Sequence, residues 1–117
     1  EDPQSLDVKL WVNGDLMQDF NTDDMAHKIP RIIEYLSAIH PLEVGDIVAT
    51  GTNHRGLNPF QGGDKVELEI ESCGRLTINV QDDLNRTWAR VTRLDHTSQG
   101  HEGRFTPQLT GKYSPGS

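Results

Sequence analysis

The residues best suited to bind a small anion lie close together, between residues 45 and 64. An apolar run, Ile47-Val48-Ala49, predicts a buried strand, and Thr50, Gly51 and Thr52 follow it directly. A glycine at this point lets the backbone approach a ligand closely, because it has no Cβ and accepts dihedrals closed to other residues. Successive backbone N–H groups can then surround an anion, and the threonine hydroxyls add donors. The stretch therefore predicts a candidate anion site.

The polar loop after this strand adds His54 and Arg55. The guanidinium group of arginine is a planar fork that suits a carboxylate. The same residues also fit an ordinary strand-to-loop connection with two solvated side chains, since Gly, Asn and Thr are common in all loops. On composition alone we favour the ordinary connection, and the chain holds no complete catalytic set.

The remaining titratable residues predict no second site and no metal site. The five histidines match none of the compact zinc spacings. The single cysteine, Cys73, has no evident base to activate it as a nucleophile. The pairs Asp23-Asp24 and Asp82-Asp83 are better explained by helix capping and a solvated face than by acid catalysis.

Two hairpins and one helix must position the candidate site. Alternation of apolar and polar residues predicts strands over 6–12 and 66–70, and Asn13-Gly14 is the strongest short hairpin signal. Ser72-Cys73-Gly74 turns the second hairpin. Between the hairpins, an apolar stripe at helical spacing predicts a core-facing helix, which either kinks at Pro30 or begins there. The stripe contains Met25, Ile29, Ile32, Ile33, Leu36 and Ile39. The predicted fold class is α+β, dominated by strands.

Length and composition indicate one small domain or a piece of a larger one. Only 33% of the 117 residues are hydrophobic, which is a low share. Either the ends are loosely ordered, or a partner covers part of the apolar surface. We expect a flexible start over 1–5, a domain over 6–91 and an extended or disordered tail over 92–117.

The charge and hydropathy of the chain exclude several partners. A formal net charge of −7 argues against non-specific nucleic-acid binding and against an anionic membrane surface. No apolar run reaches transmembrane length, and no signal-peptide pattern opens the chain. We therefore expect a cytoplasmic protein.

Five short motifs, in order, resemble the fumarylacetoacetate hydrolase family over about residues 8 to 80. Each motif is weak alone, but their order and spacing are specific. They are Val12-Asn13-Gly14-Asp15-x-x-Gln18, Thr22-Asp23-Asp24-Met25, Ile33-x-Tyr35-Leu36-Ser37, Leu42-x-x-Gly45-Asp46-Ile47-x-x-Thr50-Gly51-Thr52 and Gly63-Asp64-x-Val66.

The resemblance implies the C-terminal part of a catalytic domain built as a mixed β-sheet roll. Members of this family are usually homodimers that bind Mg²⁺ or Mn²⁺ and act on 2-oxo or β-dicarbonyl acids by C–C cleavage, decarboxylation or isomerisation. By motif, Thr52 contacts the substrate carboxylate or oxo group, Gly51 permits the approach, and Gln18 lies near the site. His54 and Arg55 are second candidates, for the distal end of the substrate.

Two departures from the family pattern shape the hypothesis. The loop after Thr52 is longer than usual, which is consistent with a different substrate. The metal ligands of the family lie upstream of the matching region, and Glu67-Leu68-Glu69 only imitates them. We therefore expect a complementary N-terminal segment or chain, an inactive isolated chain and a homo-oligomer of the complete enzyme. An isomerase or hydratase, or a non-catalytic binding module, remains the alternative.

Overall fold

A four-stranded antiparallel sheet dominates the protein. The computed structural model describes residues 2–53, 56–101, 108–112 and 114. In this part of the chain the sheet has the strand order β2-β1-β3-β4. Its strands are β1 (Asp7–Val12), β2 (Asp15–Asn21), β3 (Lys65–Ile70) and β4 (Gly74–Asn79). The predicted strand-dominated α+β class is confirmed.

Both predicted hairpins are present. Asn13 and Gly14 both have positive φ, 54° and 91°, as a two-residue turn between right-twisted strands requires. In the second hairpin, Ser72 and Gly74 also have positive φ, 62° and 86°. Asparagine and glycine tolerate this region best, so the first turn follows directly from its dipeptide.

The two faces of the sheet differ in character. Leu10 pairs with Leu68, which pairs in turn with Leu76, and Gln18 lies opposite Leu10 on the other side, so these residues share one apolar face. The opposite face is charged: Arg75 Nε donates to Glu69 at 2.9 Å, and its guanidinium lies 4.2 Å from the centre of a Trp11 ring. Among the described residues the buried hydrophobic core is small, comprising Val8, Val12 and Val66.

The helix α1 (Ile29–Ser37) has Pro30 in its first turn and begins one residue earlier than the second of the two alternatives expected. A separate 3₁₀ turn spans Thr22–Asp24. The N-cap residue, Lys28, makes no side-chain cap, and Gln4 Oε1 accepts the Ile29 N–H at 2.7 Å instead. Gln4 lies in the segment expected to be flexible, yet it contributes to the start of α1.

The prediction that the apolar stripe of this helix is core-facing is wrong for the chain as it stands. None of the residues of α1 is buried, and Ile33 and Ile39 are 50% and 63% exposed. A stripe becomes core only when another element covers it, and the part of the chain described here supplies too little apolar surface to do so.

The predicted buried strand Ile47-Val48-Ala49 is also not observed. These residues form no strand, and Ile47 is 94% exposed. A strand is defined by its pairing partner, and none of the described strands lies beside this run. An apolar sequence alone could therefore not fix its structure.

Short elements follow the sheet, and two of them lie within 92–117, where an extended or disordered tail was expected. These are β5 (Thr87–Trp88), α2 (Arg93–Ser98) and β6 (Gln108–Thr110), with β5 and β6 paired antiparallel. The hydroxyl of Thr92 caps α2 by accepting the Asp95 N–H at 3.0 Å. None of the helices in the described ranges is long and apolar enough to cross a membrane.

Candidate functional site

Gln18 is a polar side chain buried on the apolar face of the sheet. It lies on β2 opposite Leu10 and is only 7% exposed. A buried amide needs partners, because an unsatisfied donor in an apolar environment costs about 1–3 kcal/mol. The hydrogen-bond partners of Gln18 therefore show which part of the chain this buried amide connects to the sheet.

The partners of Gln18 belong to the predicted anion-binding stretch. Its Nε2 atom donates to the backbone oxygen of Asn53 at 2.7 Å and to Thr52 Oγ1 at 3.3 Å. Gln18, which was selected only by motif, is thus in direct contact with Thr52, a residue of the predicted anion site that is distant in the sequence. Gly51 precedes them with a φ of 80°, so its conformation requires the freedom of glycine. Thr50, like Thr52, is exposed and lines the same cavity.

Gly56 lies where the loop after Thr52 comes close to strand β2. A Cβ added at Gly56 would lie 1.6 Å from the backbone oxygen of Met17, which no side chain can tolerate. With a φ of 71°, the residue also occupies the left-handed region. The sequence signal was one glycine in a Gly-rich stretch, which could not be distinguished from its neighbours.

Asp64 is the second fixed point of the loop. Its side chain is 3% exposed and accepts hydrogen bonds from both terminal nitrogens of Arg90, at 2.8 and 2.7 Å. It also accepts the Gln61 N–H at 3.0 Å and Asn13 Nδ2 at 3.1 Å. The Arg90 hydrogen bonds, aided by those from Gln61 and Asn13, outweigh burial and lower the pKa of Asp64 from 3.8 to about 2.

Asn13 connects this point to the first hairpin. Its Oδ1 accepts the Lys65 N–H at 2.9 Å, while its Nδ2 donates to Asp64. One side chain thus joins the hairpin turn to the start of β3. Sequence reasoning identified Asn13 as a hairpin residue and a motif member and Asp64 as a motif member, but it missed Arg90, because nothing in the local pattern indicates so distant a pair.

A large open cavity lies between the apolar sheet face, α1, the loop and α2. Its volume is about 1770 Å³, well above that of an ordinary ligand pocket. Thr50, Gly51, Thr52 and Asn53 form part of its wall. From the other elements it is lined by Leu10, Leu68, Ile32, Leu36, Leu94 and Thr97, among others.

Two predicted site residues and the acidic pair of β3 remain to be placed. His54 and Arg55 lie outside the described residues. Glu67 and Glu69 point to the charged face, where Glu67 pairs with Lys65 at 3.2 Å and Glu69 with Arg75. No group of three His, Cys, Asp or Glu side chains in the described ranges could hold a metal ion.

The sequence matches a known family over most of its length. The family described as fumarylacetoacetate (FAA) hydrolase, C-terminal, matches residues 1–81. The chain belongs to the fumarylacetoacetate hydrolase family. The resemblance found in the five motifs is therefore confirmed, and the match ends at residue 81, close to residue 80, where the resemblance was expected to end.

Relatives within the fumarylacetoacetate hydrolase family are enzymes with several activities. The 4-hydroxyphenylacetate degradation bifunctional isomerase/decarboxylase of Salmonella dublin is 45% identical over 79 residues, covering 68% of this chain and 18% of that protein. The mitochondrial oxaloacetate tautomerase of Homo sapiens is 41% identical over 80 residues, covering 68% of this chain and 36% of the tautomerase.

A solved structure of the family confirms the fold. The maleylpyruvate hydrolase of Sphingobium sp. SYK-6, crystallised with manganese(II) and pyruvate, is 44% identical and superposes with a TM-score of 0.65. The match covers 68% of this chain and 30% of the hydrolase. The chain thus spans about a third or less of the length of these relatives.

Proposed function

We propose that this chain is the C-terminal, substrate-binding part of a Mg²⁺- or Mn²⁺-dependent hydrolase or lyase. Its substrate would be a 2-oxo or β-dicarbonyl carboxylic acid, which it cleaves at a C–C bond or decarboxylates. The observation that carries the proposal is the contact of buried Gln18 with Thr52 and Asn53 at the wall of the cavity. The decarboxylase and hydrolase activities of relatives support the same reaction class.

The direction of the Gln18 hydrogen bond gives Thr52 a defined role. Because Nε2 of Gln18 donates to Thr52 Oγ1, that oxygen acts as the acceptor. A hydroxyl accepts and donates at once, so its own hydrogen stays available for the carboxylate or oxo oxygen of a substrate. Gly51 keeps the adjacent backbone free of a side chain, which allows the substrate to come close.

The described residues of this chain do not by themselves fit a divalent ion, because they bring no three ligands together. We therefore expect the metal ligands on a complementary N-terminal segment or partner chain. The same segment would cover the open apolar wall of the cavity, including the exposed stripe of α1 and the Ile47 run. An inactive isolated chain, a homo-oligomer and a cytoplasmic location stay predictions.

A tautomerase or isomerase is the second candidate function, supported by the human relative. It would use the same carboxylate contact, since both reactions begin with an enolisable oxo acid. A hydratase or a non-catalytic binding module is the further alternative. The contact of Gln18 with Thr52 does not by itself distinguish among these functions.

The first experiment isolates the assembly that contains this chain under non-denaturing conditions and measures its intact mass and the sequences of its chains. We expect additional polypeptide sequence that carries acidic metal ligands. The assembly is then incubated with oxaloacetate and Mn²⁺. Release of CO₂ and pyruvate indicates decarboxylation, whereas keto–enol interconversion without mass loss indicates a tautomerase. A chain that occurs alone, folded and without turnover would contradict the enzyme proposal.

A matched pair of variants tests Thr52 in the same assembly. Thr52→Val removes the hydroxyl but keeps the shape, and we expect pyruvate to bind roughly ten- to a hundredfold more weakly, the value of one hydrogen bond to a charged group. Thr77→Val is the control, because Thr77 lies on exposed β4 opposite Glu67. Equal pyruvate affinity for Thr52→Val and wild type would refute the assigned contact.

A further inference from the structure

Residues 88–98, which lie beyond the family match, contact the loop between Gly51 and Asp64 at several points. The family match ends at residue 81, yet the backbone N–H of Arg93 donates to the Leu57 oxygen at 3.0 Å. The Trp88 N–H donates to Gln61 Oε1 at 3.2 Å, and Arg90 binds Asp64. These contacts lie along the second half of the loop, from Leu57 in its middle to Asp64 at its end.

The Arg90 contact is the strongest of these, because it neutralises a buried charge. Asp64 is 3% exposed, whereas the side chain of Arg90 is 43% exposed, so the arginine reaches inward from the surface to the carboxylate. The two parallel N–H···O bonds fix both the distance and the plane of the pair. Since Asp64 also accepts the Gln61 N–H, fixing Asp64 fixes the end of the loop.

The same segment continues into the wall of the cavity. Leu94 and Thr97 of α2 line the cavity that Thr50 and Thr52 also line. The segment therefore contacts the end of the loop and also lines the cavity that Thr52 lines. Neither property follows from the family match, which stops before the segment begins.

We propose that residues 88–98 are a positioning segment for the second half of the loop, from Leu57 to Asp64, and that Arg90 is its positioning residue, acting through Asp64. Without this segment, the end of the loop would open locally, and of the contacts described here only those of Gln18 would keep Thr52 in place. The segment is thus a site-shaping addition outside the part that the family shares. Only the last of its tests rests on the proposed function.

Hydrogen exchange on the full 117-residue chain tests the proposal without any ligand. In Arg90→Ala we expect the Gln61 and Asp64 amides to exchange roughly ten- to a hundredfold faster, the value of a charged hydrogen bond, while the amides shared by β1 and β3 change less than about twofold. Arg75→Ala is the matched control, because Arg75 pairs with Glu69 on the opposite face of the sheet. It should leave the loop amides unchanged.

The conservative variant Arg90→Lys keeps the positive charge but loses the planar guanidinium that donates two hydrogen bonds to Asp64. The same hydrogen-exchange measurement can be made on this variant if Arg90→Ala does not fold. We expect intermediate exchange rates at Gln61 and Asp64. Unchanged loop rates in either variant, or equal acceleration in loop and sheet, would overturn the proposal, since the latter indicates a general loss of stability. Full restoration by lysine would also overturn it, because the planar fork would then be unnecessary.

Pyruvate binding with Mn²⁺, measured on the complete assembly, completes the test. Arg90→Ala should weaken pyruvate binding in parallel with the faster loop exchange, and Arg75→Ala should not. Faster exchange with unchanged pyruvate affinity would refute positioning of the site. If the wild-type assembly binds no pyruvate at all, the proposed function fails, and the exchange experiment alone decides the role of Arg90.

Discussion

Replacing Asp64 with asparagine should destabilise the protein at neutral pH and much less in acid. The structure lowers the pKa of Asp64 from 3.8 to about 2, chiefly through its hydrogen bonds with Arg90. A group with a lowered folded-state pKa stabilises the fold above its unfolded pKa, and that stability is lost as the pH falls through the folded value. For this nearly buried carboxylate, the shift corresponds to about 2 kcal/mol at pH 7.

The pH dependence is what distinguishes this charge from a simple packing contact. By the same linkage, only about half of the stabilisation should remain at pH 3, and almost none below the folded pKa. Urea unfolding followed by tryptophan fluorescence measures this difference, since Trp88 lies beside the loop. Urea is preferable to guanidinium chloride, because a salt would screen the charges.

Asp83→Asn serves as the control, because it removes an exposed carboxylate near the same end of β3 and β4. We expect it to change the free energy of unfolding by less than about 0.5 kcal/mol. A difference between wild type and Asp64→Asn that stays constant from pH 7 to pH 3 would refute the reasoning. So would the absence of any difference at pH 7.

Two further substitutions test the contacts that fix the loop and the first turn. Gly56→Ala should destabilise the protein by at least twice as much as Gly45→Ala, because both residues have positive φ but only Gly56 faces the Met17 oxygen. Urea unfolding compares the free energies of unfolding of the two variants. Equal losses of stability would contradict the close approach of Gly56 to Met17. The Gly45 change alone should cost about 1 kcal/mol. Asn13→Gly keeps the turn conformation but removes the side-chain hydrogen bonds, so it should raise the pKa of Asp64. NMR of the Asp64 carboxyl carbon measures this pKa. An unchanged pKa would contradict the role of the Asn13 hydrogen bond.

The parts of the fold that could be predicted from the sequence are those that depend on local chemistry. Asn13-Gly14 specifies its turn because both residues tolerate positive φ, and strict alternation places Leu68 on the apolar face. Pro30 lies in the first turn of α1 because its fixed φ suits that turn and its missing N–H is not needed there. These signals act over a few residues and survive in a chain that covers only part of its family fold.

The parts that could not be predicted depend on distant or missing partners. Ile47-Val48-Ala49 has the composition of a strand, but a strand needs a neighbour, and the described chain provides none there. The contact of Gln18 with Thr52 was expected only from the family resemblance, since no local pattern connects them. The Asp64–Arg90 pair was missed because charged residues such as Arg90 usually lie on a solvated surface, and only the fold shows that Asp64 is buried.

The order of the strands also has a consequence for the folding pathway. Each hairpin joins neighbouring segments and can form early, whereas the pairing of β1 with β3 must close the long connection between them. That connection contains α1 and the whole candidate loop, and Asn13 and Lys65 meet at the point where it closes. We therefore expect closure of this connection to limit the folding rate, and the loop around Thr52 to gain its structure last, once the central pair of strands has joined.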